Sequence, residues 1–202
     1  MNVLAVGAHP DDIEIGCGGA LLRHRDRGDS ITMVVLSSGE REEALSGTRR
    51  REQERAAQVL GAELIWAGYD GGHIPTSPDA VELVEDAANA FDAKLVYLHN
   101  QNDLHQEHQK TASVTLAACR RVEGLLMYQG PGSNGFDPKV FVNIGDQIDE
   151  KISLLACHAS QVETGKLDPD AVKITAAYWG MICRTSAAEG FEPVRFRWEI
   201  TQ

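Results

Sequence analysis

Apolar residues along this chain fall into short runs separated by stretches with helical spacing. Val3 to Gly7 is an apolar run that reads as a first strand. Gly18 to Arg27 reads as a helix stopped by Gly28. Ile31 to Leu36 is rich in β-branched residues and predicts a buried strand. Thr48 to Leu60 predicts a helix closed by Gly61, and Leu64 to Trp66 a third strand. Asp79 to Phe91 carries Val81, Val84 and Ala88 on one helical face, and Lys94 to Leu98 predicts a fourth strand. A helix over about Gln106 to Arg121, a strand over Leu125 to Tyr128, a short strand at Val140 to Val142 and a helix over Gln147 to Ser160 follow. Beyond Ser160 the pattern assigns no element. Strands alternating with helices predict βαβ units, hence one α/β, doubly wound, Rossmann-like domain with a mainly parallel sheet flanked by helices. No linker or internal repeat divides the chain, so residues 1–202 are read as a single domain.

Composition narrows the function without naming it. The chain is 43% hydrophobic and 24% charged, an ordinary globular balance, with a net charge of −11. That sign disfavours binding to nucleic acid or to an anionic bilayer. No apolar run approaches the length of a membrane span, so no stable membrane insertion is expected. The first apolar stretch lacks a basic leader, which makes cytoplasmic residence the default expectation. Cys119, Cys157 and Cys183 are widely spaced and read as reduced thiols, while Cys17 falls close enough to Glu14 to line the same pocket.

Chemistry concentrates where two strands end. After the first strand comes Ala8-His9-Pro10-Asp11-Asp12-Ile13-Glu14. The carboxyl ends of strands in open α/β sheets face the ligand crevice. Pro10 holds His9 extended, so the turn is stiff. A His and an Asp suit a metal, leaving a second Asp free to move protons. After the fourth strand comes His99-Asn100-Gln101-Asn102-Asp103-Leu104-His105-Gln106-Glu107-His108. With the first motif it offers two His and a carboxylate, the composition of a hydrolytic zinc site with one open position. The glycines at Gly16, Gly18 and Gly19 do not complete a dinucleotide fingerprint, and the acidic residues ahead of them repel phosphate.

These motifs together resemble the LmbE-like or PIG-L family of zinc-dependent N-deacetylases, which act on N-acetylglucosamine conjugates. The family's A-H-P-D-D-x-E is similar to Ala8–Glu14, and its H-x-D-H to His105–His108, with Glu107 in place of Asp. Weaker likenesses are Gly39-Glu40, Arg49 and Glu52 ahead of Ala56–Gly61, Lys151 through His158-Ala159-Ser160-Gln161, and Ala188–Phe191.

The resemblance implies that His9, Asp12 and His108 bind the metal, Zn2+ or another divalent ion such as Fe2+. It implies Asp11 as general base and a protonated His105 facing the oxyanion. Arg49 is either the candidate for gripping substrate hydroxyls or a phosphate, held by Glu52, or simply the partner of Glu52 in an exposed i, i+3 ion pair. Glu14 either caps a helix or contacts substrate, while Asp103 and Glu107 support the ligands from behind. His158 either approaches the pocket or is a structural histidine. The implied partner is a small-molecule sugar conjugate, and analogy points to a homo-oligomer. Two alternatives stay open: a metal-dependent hydrolase of another amide or ester, and a non-catalytic sugar-binding domain.

Overall fold

The computed structural model describes residues 1–39 and 47–197. Its strands are β1 (Asn2–Gly7), β2 (Ser30–Ser37), β3 (Glu63–Tyr69), β4 (Leu95–His99), β5 (Gly124–Tyr128), β6 (Val140–Asn143) and β7 (Ala188–Arg195). Its helices are α1 (Asp12–Asp26), α2 (Thr48–Leu60), α3 (Pro78–Ala90), α4 (Gln106–Ala118), α5 (Ile148–Leu155), α6 (Ala159–Glu163) and α7 (Pro169–Cys183). All seven strands form one sheet in the order β3-β2-β1-β4-β5-β7-β6. The first five run parallel, and β7 lies antiparallel between β5 and β6.

Both faces of the parallel part are covered, which is why its central strands read as unbroken apolar runs. Val3 and Ala5 of β1 pack with α1, α2 and α5 residues such as Leu21, Leu60 and Leu154. Leu4 and Val6 face the other way, against Val84 of α3 and Val114 of α4. The strand order reverses between β1 and β4, which pair directly. Both chemical motifs leave the sheet there, at the carboxyl ends flanking the switch point.

Three elements differ from expectation. The first helix begins at Asp12 instead of Gly18 and is bent at Cys17 (φ −142°). There Gly19 and Ala20 donate their amides to the Glu189 carboxylate at 2.8 and 2.7 Å. In an unbroken helix the Gly19 amide would serve the Ile15 carbonyl; that oxygen instead accepts from Lys151 Nζ at 2.7 Å. Lys151 also pairs with Glu189, so a buried ion pair satisfies both sides of the break. The single helix expected over Gln147 to Ser160 is two, α5 and α6, with His158 at the corner between them. Finally, α7 and β7 carry no prior expectation. α7 carries apolar residues on two sides, Ala176 and Gly180 inward and Ile174, Tyr178, Met181 and Ile182 outward, and so lacks the one-sided pattern that marks a surface helix.

Candidate metal centre

The β1 strand ends in a turn that its own residues brace. His9 donates its amide to Asp12 Oδ2 at 2.7 Å. Asp11 takes a left-handed backbone (φ 93°), a conformation rare outside glycine that Asp tolerates better than most side chains. α4 then presents His108 from the facing motif, and the three side chains converge. Asp12 Oδ1 lies 3.3 Å from His108 Nε2, and Asp12 Oδ2 lies 3.4 Å from His9 Nδ1. One ligand atom from each of His9, Asp12 and His108 falls within 4.8 Å of the others, and all three residues are buried. A second group, His9, His105 and Glu107, shares His9 but includes the exposed His105.

Each histidine of the buried group has a carboxylate behind it. His108 Nδ1 lies 3.2 Å from Asp103 Oδ1, and His9 Nε2 lies 2.9 Å from Glu107 Oε2. Metal-binding histidines characteristically show this carboxylate on the nitrogen away from the ion. Two imidazoles and one carboxylate, buried and oriented from behind, fit a zinc-like divalent cation. The longer Glu107 side chain reaches His9 from the first turn of α4.

The electrostatics of the group follow from its carboxylates. Burial opposes the charged form of His9, but Asp12 and Glu107 outweigh it and raise the pKa to about 9. Burial likewise opposes His108, and Asp12 with Asp103 raises it to about 10. Burial pushes Asp12 up, while His108 and His99 pull it well below the carboxylate range. Glu107 is held down to about 2, chiefly by His9 against the cost of burial.

Asp11 stands beside this group. Burial, then the neighbouring Asp12, raises its pKa to about 7. Arg49 Nη2 lies 3.4 Å from Asp11 Oδ1 and donates to the Pro10 carbonyl at 2.7 Å. A Cβ on Gly39 (φ 69°) would sit 2.2 Å from Arg49 Nη1 and 3.0 Å from the His9 ring, so only glycine closes this corner. Glu40 lies outside the described residues.

His105 caps α4, accepting the Glu107 amide at Nδ1 (3.2 Å). Burial, then the charges of His108 and His9, lowers its pKa. With Nδ1 accepting, the neutral form of the ring carries its proton on Nε2. The ring stacks on His108 at 4.5 Å.

Further placements differ from expectation. Glu52 does not hold Arg49; it accepts from the amide and hydroxyl of Ser160 at 2.8 and 2.7 Å. Glu14 is fully buried, accepting from Gln53 Nε2 at 2.7 Å with His158 Nε2 3.4 Å away, so it sits behind the site with no exposed surface. Cys17 is enclosed at the bend of α1. Asp103 is seated by the loop after β5. A Cβ on Gly132 would lie 2.7 Å from Asp103 Oδ1, and Ser133 pairs with Asp103 in an isolated bridge.

Sequence reasoning gave no role to His99 or Gln53. His99 ends β4 fully buried, with Nε2 3.1 Å from Asp12 Oδ2 and its ring stacked on His108 at 4.1 Å. Burial lowers it to about 4, so it is neutral packing beneath two ligands. Its position as the last residue of a strand was the available signal. Gln53 betrays itself by spacing: Arg49, Glu52, Gln53, Ala56, Ala57 and Leu60 form the inner face of α2, polar where it meets the site.

Comparison with known proteins places the chain. Residues 4–119, more than half of it, match the family model for PIG-L, GlcNAc-PI de-N-acetylase. The chain belongs to the PIG-L family. It is 31% identical over 174 residues to the uncharacterized deacetylase YaiS of Escherichia coli K12, covering 79% of this chain and 91% of that one. It is 23% identical to diacetylchitobiose deacetylase of Thermococcus kodakarensis over 94% of this chain and 81% of the relative. Its fold also matches GalB of Pseudomonas putida KT2440, the 4-carboxy-2-hydroxymuconate hydratase. There the TM-score is 0.86 and the identity 20%, over 100% of this chain and 99% of that one. At that identity the likeness shows the fold alone, and the site must decide the chemistry. No helix among the described residues is long and apolar enough to cross a membrane.

Proposed function

We propose that this PIG-L protein hydrolyses the N-acetyl amide of an N-acetylglucosamine-type sugar conjugate. What carries the reading is a buried carboxylate, Asp11, standing beside a buried His-Asp-His donor group to which it does not belong. His9, Asp12 and His108 would hold Zn2+, or Fe2+ in its place. Such an ion polarises an amide carbonyl and acidifies a water. Asp11 takes that water's proton and returns it to the leaving amine. An added positive charge nearby lowers its pKa, so Asp11 is ionised at neutral pH. Neutral His105 donates Nε2–H to the oxygen that gains charge. Arg49, fixed by the Pro10 carbonyl, orients Asp11 and offers its remaining N–H groups to substrate hydroxyls or a phosphate. Glu14 holds Gln53 and His158 behind the turn, while Asp103 and Glu107 keep the two ligand histidines in place. Free cysteines at all four positions support a reducing compartment, and we place the protein in the cytoplasm.

A second reading, addition of water to a carbon–carbon double bond, is favoured by the near-complete superposition on GalB. One experiment separates the two. Wild type and Asp11→Asn are assayed for bound metal, for acetate released from N-acetylglucosamine conjugates, and for hydration of 4-carboxy-2-hydroxymuconate. Expected is stoichiometric metal in both proteins, with acetate release about 10²–10⁴-fold slower in the variant. Hydration without acetate release transfers the proposal to the second reading. Acetate release unchanged in Asp11→Asn removes Asp11 as the base.

A further inference from the structure

Helix α7 buries only one of its two apolar faces. Its inner side is fixed against β7: Ala176 and Gly180 are buried, and a Cβ on Gly180 would come within 2.7 Å of Ala187 Cα. Its outer side is a stripe of large apolar residues, with Ile174 70%, Tyr178 50%, Met181 66% and Ile182 51% exposed. A contiguous exposed apolar stripe marks an interaction surface.

The charges at its ends identify the partner. Asp170 stands two turns before Ala177, and Arg184 two turns after it. Both are exposed, and neither finds a side-chain partner among the described residues. A two-fold axis through Ala177 brings Asp170 of one copy opposite Arg184 of the other, twice per interface. The same axis sets Ile174 toward the second copy's Met181 and the two Tyr178 rings beside Ala177, whose small side chain permits close approach. The surface is therefore self-complementary in charge as well as apolar. The chain's net charge of −11 argues against an anionic bilayer as the cover.

We propose that α7 is the seam of a homodimer, two copies packing their outer faces antiparallel around Ala177. The apolar stripe supplies the attraction, and the paired Asp170 and Arg184 set direction and register.

Sedimentation velocity of the full chain across a concentration series tests this. The wild type is expected to be dimeric. Asp170→Arg places two like-charge pairs in the seam and weakens association by at least about tenfold. The double exchange Asp170→Arg/Arg184→Asp restores it; Asp suits position 184, whose backbone is left-handed (φ 64°). Ile174→Glu yields monomer. These positions are exposed, and circular dichroism verifies that each variant folds. A wild type that stays monomeric overturns the proposal, including one that instead floats with lipid vesicles. So does a dimer indifferent to both Asp170→Arg and Ile174→Glu, since another face then holds it. A charge reversal that dissociates the dimer without rescue by the exchange also overturns it, because the antiparallel register is then wrong.

Discussion

Asp12 faces the imidazoles of His9 and His108, and in the metal-free protein both rings hold protons that a metal must displace. With pKa values of about 9 and 10 they are charged at neutral pH. Metal loading at pH 7 therefore releases about two protons, and affinity climbs with pH until the rings deprotonate unaided. Calorimetric titration in buffers of different ionisation enthalpy reads the number, and a value near zero refutes the protonated pair. The same shift governs stability. Both rings are raised above the ordinary 6.5, so their pairing with Asp12 stabilises the metal-free fold fully below that pH. That stabilisation fades as pH rises through 9 to 10, whereas the metal-loaded fold loses nothing over this range. At this scale the sequence was most legible where residues are adjacent. His9, Asp11 and Asp12 stand together in one turn, and His105 with His108 in another. The partners of Arg49 and Glu52 were not legible, because three residues along a helix is only one of the contacts available to a buried side chain. Arg49 turned to Pro10 and Glu52 to Ser160.

At the scale of elements, the bent α1 explains why Lys151 and Glu189 carry the family likeness far from the chemistry. The bend frees amides on one side and a carbonyl on the other, and the ion pair takes up both. Lys151→Met leaves Glu189 charged and buried without its partner, a change that costs about 3–5 kcal/mol. Chemical denaturation should show that loss, with activity falling as α1 drifts from the turn it continues. A loss below about 1 kcal/mol would mean the amides of Gly19 and Ala20 suffice to hold Glu189. Helix α2 ran between its expected bounds because its spacing and its closing glycine agree. The start of α1 was hidden by glycines that read as loop. Gly16 is in fact helical, and it is glycine because the Tyr128 ring occupies the space of a Cβ, 2.1 Å from where it would lie. That is a long-range contact which no local pattern encodes.

Across the whole molecule, the donor atoms come from two strand-to-helix segments that the sheet brings together, residues 9 and 12 after β1 and 108 after β4. A metal there ties one side of the switch point to the other and stabilises only the folded chain. Chelation should lower the unfolding temperature, the loss reaching about 2.7 kcal/mol for a metal that had been present at a hundred times its Kd. An unfolding curve indifferent to chelator would mean that the donor group holds no metal under those conditions. Alternation of strands and helices made the parallel order β3-β2-β1-β4-β5 legible as a class. The antiparallel β7 was not, since helices α5 to α7 lead into it much as a crossover helix leads into a parallel strand, and element order alone does not announce its direction.

That late strand sets an order of events during synthesis. Residues 9 to 14 leave the ribosome well before Lys151 and Glu189, yet the helix they open stays incomplete until those two have emerged to close its bend. A nascent chain carries the motif long before it carries the site.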